Sequence, residues 1–246
     1  MNPGGLVLAI DCGNSRLKWG VCAPDQESAR GAVVWIAQGA MEVSGIARLS
    51  EVWTFQAEPE TIVISNVAGP EVAESITRGF AHWSAVPHWI RSPAAQCGVF
   101  NGYADPSRLG VDRWAALVGA RALNPGDCLV VMAGTATTVD VLTREGLFRG
   151  GLILPGEQLM KRSLATGTAG LPMAQGVLTD FPRNTEDAIE AGCMAAQTGA
   201  IERMYARLPA NALCILSGGG AARLAGQLNI PVHVVDNLVL EGLARI

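Results

Sequence analysis

The chain has 246 residues, of which 49% are apolar and 16% charged, with a formal net charge of -4. That length exceeds what one core ordinarily needs, so two domains of similar size are expected, and the apolar content excludes a disordered chain. The acidic balance speaks against nucleic acid as a partner but not against nucleotides, which backbone amides and metal ions can hold. The six cysteines, Cys12, Cys22, Cys97, Cys128, Cys193 and Cys214, form no C-x-x-C pair. A zinc site is therefore not expected, and free thiols in a reducing cytoplasm are. No positive segment precedes the first apolar stretch, and no apolar run reaches the roughly 20 residues of a membrane span. Neither a signal peptide nor a membrane partner is expected.

Taken in chain order, Leu6–Ile10 is apolar throughout, as a central strand should be. Leu17–Ala23 and Ala32–Ala37 carry valine and tryptophan and read as further strands, joined by short connections into an antiparallel meander. Glu42–Ser50 reads as a helix, Thr61–Ser65 as a strand, Glu71–Ala81 as a helix and His88–Arg91 as a short strand. Arg108–Leu123 places Leu109, Trp114, Leu117, Val118 and Leu123 at helical spacing and reads as a long helix between two halves. Asn124-Pro125-Gly126-Asp127 is turn punctuation, so the domains are drawn as 1–123 and 124–246.

The second half repeats the order. Cys128–Thr135, Thr137–Thr143 and Leu147–Leu154 read as strands, and Glu157–Thr166 and Glu186–Arg207 as helices. Leu213–Ser217 reads as a strand, Gly220–Gln227 as a helix, Val232–Val235 as the last strand and Leu238–Arg245 as the last helix. Each half opens with a buried strand running into a glycine-containing turn and back, first at Asp11–Ser15 and again at Ala133–Ala136. Strands followed by alternating helix and strand give an α/β fold with mixed sheets flanked by helices.

Five segments have the composition of a phosphate-handling site. Asp11 ends a buried strand, and Asp-Cys-Gly-Asn-Ser suits a turn whose amides face a phosphate while the carboxylate binds hydrated magnesium. Lys18, on the return strand, is placed to reach a terminal phosphate. The plainer alternative is an Asx turn and a solvated lysine. Gly134-Thr135-Ala136-Thr137-Thr138 lets backbone approach a nucleotide, or is a threonine-rich bulged strand. Asp140 beyond it faces a ligand or caps a turn. Gly110-Val111-Asp112-Arg113 opens the long helix, where Asp112 can take a proton from a hydroxyl and Arg113 can pair with an anion. Helix capping and a surface arginine are the plainer reading there. Gly150–Gly156 and Ser217–Gly220 leave room for a close approach, the latter for a flat base or for an ordinary turn. His82, His88 and His233 have no metal spacing, and no Walker loop or G-x-S-x-G elbow occurs.

As an ordered set these segments resemble the type III pantothenate kinase family, which includes the Bvg accessory factor proteins, within the acetate/sugar kinase and actin superfamily. The residues that carry the resemblance are Asp11–Ser15 with Lys18, Asn101-Gly102-Tyr103, Leu109–Arg113, Gly134–Asp140, Gly150–Gly156, Pro182 with Thr185, and Asp236–Leu243. The resemblance implies two duplicated ribonuclease H-like, actin-like domains with the active site in the cleft between them. It implies ATP-dependent phosphorylation of pantothenate at its primary hydroxyl, the first step towards coenzyme A, by a cytoplasmic homodimer whose partner subunit closes the substrate pocket. Carried over, Asp11, Cys12, Gly13, Asn14, Ser15, Arg16, Leu17 and Lys18 would bind ATP phosphates and magnesium, with Asp11 as the magnesium residue. Thr135 would contact ATP. Asp112 would be the general base, and Tyr103, Gly110, Val111, Asp112, Arg113 and Thr185 would line the pantothenate site.

The chain departs from the family at one position. An acidic ligand of a monovalent cation, potassium or ammonium, usually precedes Ala-Gly-Thr-Ala, and Met132 stands there instead. A thioether is a poor ligand for a hard cation. Comparing the two hairpins makes the same point, since Met132 aligns with Asp11. The usual potassium site is therefore expected to be missing. Two other readings compete: a binding or regulatory protein on the same fold, and a kinase for another small hydroxy acid. Asp11, Lys18, Asp112 and Arg113 together argue against the first. Tyr103, Gly110–Arg113 and Thr185 together favour pantothenate over other acids.

Overall fold

The structure is a computed structural model and describes residues 5–28, 31–53, 55 and 57–246. Residues 1–4, on which part of the signal-peptide expectation rests, lie outside the described residues. In chain order the elements are β1 (Val7–Cys12), β2 (Arg16–Glu27), β3 (Val33–Glu42), a 3-10 segment (Val43–Arg48), α1 (Leu49–Val52), β4 (Thr61–Asn66) and α2 (Pro70–Gly79). There follow β5 (Pro87–Trp89), β6 (Ala95–Gln96), β7 (Val99–Asn101), a 3-10 turn (Pro106–Arg108) and α3 (Val111–Leu123). Next come β8 (Cys128–Ala133), β9 (Ala136–Leu142), β10 (Leu147–Pro155), α4 (Glu157–Gly167) and α5 (Thr185–Tyr205). The chain closes with β11 (Leu213–Ser217), α6 (Ala221–Ala225), β12 (Val232–Val234) and α7 (Leu238–Leu243).

The chain forms two compact units, one of Met1–Pro125, Gly146–Phe148 and Asn237–Ile246, the other of Gly126–Glu145 and Arg149–Asp236. The first break falls in the Asn124–Asp127 turn. The helix expected in the second domain, α7, belongs instead to the first unit, as does the expected linking helix α3.

The first unit holds a five-stranded sheet in the order β3-β2-β1-β4-β5. β1, β2 and β3 form the antiparallel meander, and β4 and β5 run parallel to β1 and β4. Leu8, Ile10, Leu17, Trp19, Ile62, Ile64, Ile76 and Trp53 make the core on one side. α3 and α7 pack on each other and against the sheet strands. Glu241 of α7 ties down the edge strand: it accepts from the Val33 amide at 2.9 Å and from Trp35 Nε1 at 3.1 Å. The short β6–β7 hairpin was not visible in the sequence, and β7 pairs with Leu147 and Phe148 at the head of β10.

In the second unit β12, β11, β8 and β9 are neighbours in that order. β8 and β9 are antiparallel, while β11 and β12 run parallel to β8 and β11. The helices α4, α5 and α6 belong to this unit, with Leu129, Val131, Met194, Ile201 and Leu216 in its core. Two helices differ from expectation. The segment expected as one helix over Glu42–Ser50 winds as a 3-10 segment with only a single α turn after it, in keeping with its β-branched and glycine content. The helix expected from Arg108 starts at Val111, because Pro106–Arg108 forms a separate turn capped by Asp105, and Leu109 and Gly110 are extended.

Candidate active site

β1 lies between β2 and β4, which hold Asp11 in register with Lys18 on one side and Ser65 on the other. Beyond it the Gly13 amide donates to the Arg16 carbonyl at 3.0 Å, closing a turn that leaves Asn14, Ser15 and Arg16 exposed. Cys12 and Leu17 are fully buried, so of the expected ATP-binding stretch the turn exposes Asn14, Ser15 and Arg16 and not these two. Burial and Asp11 push the Cys12 thiol up to about 12, which leaves it inert. Asp11 Oδ1 is buried with no hydrogen-bond partner. Burial first, and then the charge of Asp112, push the Asp11 carboxyl up to about 7, against the opposing pull of Lys18 and Ser65. A buried carboxylate facing a second carboxylate gains most from a cation or an incoming proton.

Asp112 sits in the first turn of α3, where its Oδ1 accepts from the Arg113 amide at 2.8 Å. A Cβ on Gly110 would stand 2.7 Å from that oxygen, so the glycine makes room for the carboxylate. Arg113 is 5% exposed. Its Nη1 donates to the Tyr103 hydroxyl at 2.8 Å, and its guanidinium lies 5.6 Å from the Tyr103 ring centre and 5.7 Å from that of Phe148. Asn101 fixes the intervening loop: its Nδ2 donates to the Pro93 and Pro106 carbonyls at 3.2 Å, and its Oδ1 accepts from the Tyr103 amide at 3.1 Å. The first unit therefore gathers Asp11, Lys18, Tyr103, Gly110, Val111, Asp112 and Arg113. Phe148 was missed, because only the pairing of β10 with β7 brings it there.

The second unit repeats the hairpin. Met132 is in register with Thr138 on β9 and with Ser217 on β11, matching Asp11 with Lys18 and Ser65. The Gly134 amide donates to the Ala136 carbonyl at 3.1 Å, leaving Thr135 exposed at the turn. Thr138 Oγ1 is buried without a partner. Asp140 is buried in mid-strand, and Gly151 leaves space for it, since a Cβ there would come within 2.1 Å of its Oδ1. Thr185 opens α5, exposed, just after the Asn184 cap, beside an apolar groove lined by Met160, Leu164, Ile189 and Cys193. Among the described residues no three His, Cys, Asp or Glu side chains group as a metal cluster.

Two units, each built on an antiparallel hairpin with parallel strands added beside it, define an actin-like fold. A solved chain described as a conserved Baf family transcriptional activator from Campylobacter jejuni shares it, with a TM-score of 0.62 at 21% identity, covering 96% of this chain and 94% of that one. That likeness concerns the fold alone. Residues 7–207 match the profile of the type III pantothenate kinase family. A type III pantothenate kinase from Aromatoleum aromaticum is 50% identical over 242 residues, 97% of this chain and 96% of the relative. One from Dechloromonas aromatica is 47% identical over 246 residues, 98% of each. The chain belongs to the type III pantothenate kinase family.

Proposed function

We propose that this chain transfers the terminal phosphoryl group of ATP to the primary hydroxyl of pantothenate, opening coenzyme A biosynthesis. Family membership supports the reaction. The observation that carries the site assignment is the pair of facing carboxylates, Asp11 and Asp112, flanked by Lys18 and by the Arg113–Tyr103 pair. Phosphoryl transfer needs in-line placement and charge neutralisation more than covalent help. Gly13, Asn14, Ser15 and Arg16 surround the phosphates, with the buried Cys12 and Leu17 packed behind the turn, and Lys18 meets the terminal phosphate. Asp11, with its unpartnered buried oxygen, fits the magnesium that accompanies ATP, directly or through water. That ion supplies neutralisation of phosphate charge.

Asp112 accepts the proton of the pantothenate hydroxyl as its oxygen attacks phosphorus, and ADP leaves. Arg113 pairs with the pantothenate carboxylate, its plane fixed by Tyr103 and Phe148. By family membership Gly110, Val111 and Thr185 are assigned to the same substrate and Thr135 to ATP. We take the working form to be a cytoplasmic homodimer. The resemblance to the family and the exposed apolar Val177 and Phe181 near α5 support the dimer. The residues at Met132 do not suit a potassium or ammonium ion, because a thioether replaces the carboxylate that Asp11 provides in the matching hairpin.

An ADP-release assay with ATP and magnesium tests the reading. Turnover that depends on pantothenate is expected. Folded protein that releases no ADP with pantothenate would overturn it.

A further inference from the structure

The second unit contains a group of four charges that the mechanism above does not use, two of them buried, one partly buried and one, Arg223, exposed. Lys161 of α4 is 4% exposed and Glu190 of α5 is 2% exposed. Lys161 Nζ lies 2.6 Å from Glu157 Oε1 and 2.6 Å from Glu190 Oε2. Arg223 of α6 reaches the same two carboxylates, at 3.2 Å to Glu157 Oε2 and in a close contact to Glu190 Oε1. Two cations and two carboxylates cancel. Burial works against the Lys161 charge, but the two carboxylates outweigh it and hold the ammonium above its usual range.

Such a cluster is a costly way to gain stability, since well-packed apolar residues usually do as well or better. Its location suggests another use. The Gly134–Thr135 turn is supported from two sides by glycines that admit no side chain. Gly156 donates its amide to the Thr135 carbonyl at 2.9 Å, and a Cβ on Gly156 would fall 2.2 Å from the Gly134 carbonyl. The Gly220 amide donates to the Ala133 carbonyl at 3.1 Å, and a Cβ on Gly218 would fall 2.4 Å from that oxygen. Each support runs directly into a helix. Gly156 leads into α4, whose first residue is Glu157, and Gly220 leads into α6, which carries Arg223. α5 braces both, with Glu190 in the ion cluster and Gln197 donating to the Pro155 carbonyl at 2.7 Å.

We propose that Glu157, Lys161, Glu190 and Arg223 form a charge clamp that fixes the spacing of the two glycine supports and so sets the Gly134–Thr135 turn for ATP. These are positioning residues that touch no substrate. The inference rests on the reading of Thr135 as an ATP contact. Ion pairs suit this task because their hydrogen bonds fix direction, whereas an apolar contact tolerates sliding.

The test compares wild type, Lys161→Met, Arg223→Gln and the double variant Lys161→Met/Glu190→Leu. Readouts are KM for ATP, KM for pantothenate, kcat, melting temperature, and calorimetric titration with ATP and magnesium. Lys161→Met is expected to raise KM for ATP by roughly tenfold, the usual scale for losing a supporting partner behind a site, with KM for pantothenate unchanged. Arg223→Gln gives a smaller rise in the same constant. The double variant removes the buried pair together, so its melting temperature is expected to hold or rise while KM for ATP stays high. A double variant with wild-type KM for ATP would show the cluster to be structural only and overturn the clamp. If Lys161→Met does not fold, Arg223→Gln and the double variant decide by the same constants. Wild type that neither binds ATP nor releases ADP would refute the functional reading instead. Wild type that turns over, beside variants with unaltered KM for ATP, would refute only the clamp.

Discussion

On the proposed reading Asp11 holds magnesium and Asp112 takes the proton. Asp11 carries a carboxyl pushed up to about 7 by burial and by its neighbour Asp112. An unfolded aspartate titrates near 3.8, so its share of folding stability is fully present below that pH and is lost as pH rises through about 7. Asp11→Asn is therefore expected to melt with wild type at pH 4 and above it at pH 8, in scans without nucleotide. Magnesium and ATP should reverse that order at pH 8, since they favour the ionised wild-type side chain. An Asn variant no more stable at pH 8 would mean that Asp11 ionises without strain. Asp112→Asn removes the proposed proton acceptor at nearly constant size, and kcat is expected to fall by about 10²–10⁴ in the ADP-release assay. Near-normal turnover would remove Asp112 from that role. Phe148→Leu removes one ring beside Arg113 and should raise KM for pantothenate while leaving KM for ATP as it was.

At the scale of elements, α3 presents Asp112 and Arg113, and α7 sets where α3 lies. The two helices cross at glycines. A Cβ on Gly242 would fall 1.8 Å from the Ala115 carbonyl, and one on Gly119 would fall 2.5 Å from the Leu238 carbonyl. Gly242→Ala cannot be absorbed by rotating a side chain, so it is expected to cost about 1–3 kcal/mol and to lower kcat by moving the N-terminus of α3. Gly199→Ala in α5 is the control. It meets nothing within 4 Å, and removing a helical glycine there should stabilise by about 0.5–1 kcal/mol. Thermal melts of the pair check both signs. The same crossing shows where sequence stopped being informative. Leu6–Ile10 announced a central strand by its unbroken apolar run, and Trp114, Leu117 and Val118 announced α3 by their spacing. Nothing local told that Leu238–Leu243 would return to the first unit. Nor did anything local show β6 and β7, which are two and three residues long and exist through partners remote in sequence. Phe148 reached Arg113 by that same remote pairing.

Across the whole molecule, the two hairpins show what a repeated motif keeps and what it changes. The registers match position by position: Asp11 beside Ser65 and across from Lys18, Met132 beside Ser217 and across from Thr138. Both hairpins have a buried serine beside this position, while a thioether and a threonine stand in the second where the first has a carboxylate and a lysine. The sequence already showed the Asp11–Met132 alignment; the buried, unpartnered Thr138 hydroxyl needed the structure. Two neutral hydroxyls beside a sulfur put no carboxylate at the position where Asp11 stands in the first hairpin, which suits a hard monovalent cation poorly. Initial rates at saturating ATP, magnesium and pantothenate are therefore expected to be equal in sodium, potassium and ammonium chloride at fixed ionic strength. Met132→Asp restores a carboxylate at a position whose geometry Asp11 demonstrates. That variant should gain a potassium-dependent rise in melting temperature, whatever its rate. A wild-type rate that climbs strongly in potassium alone would show that other groups hold the ion and that Met132 does not exclude it.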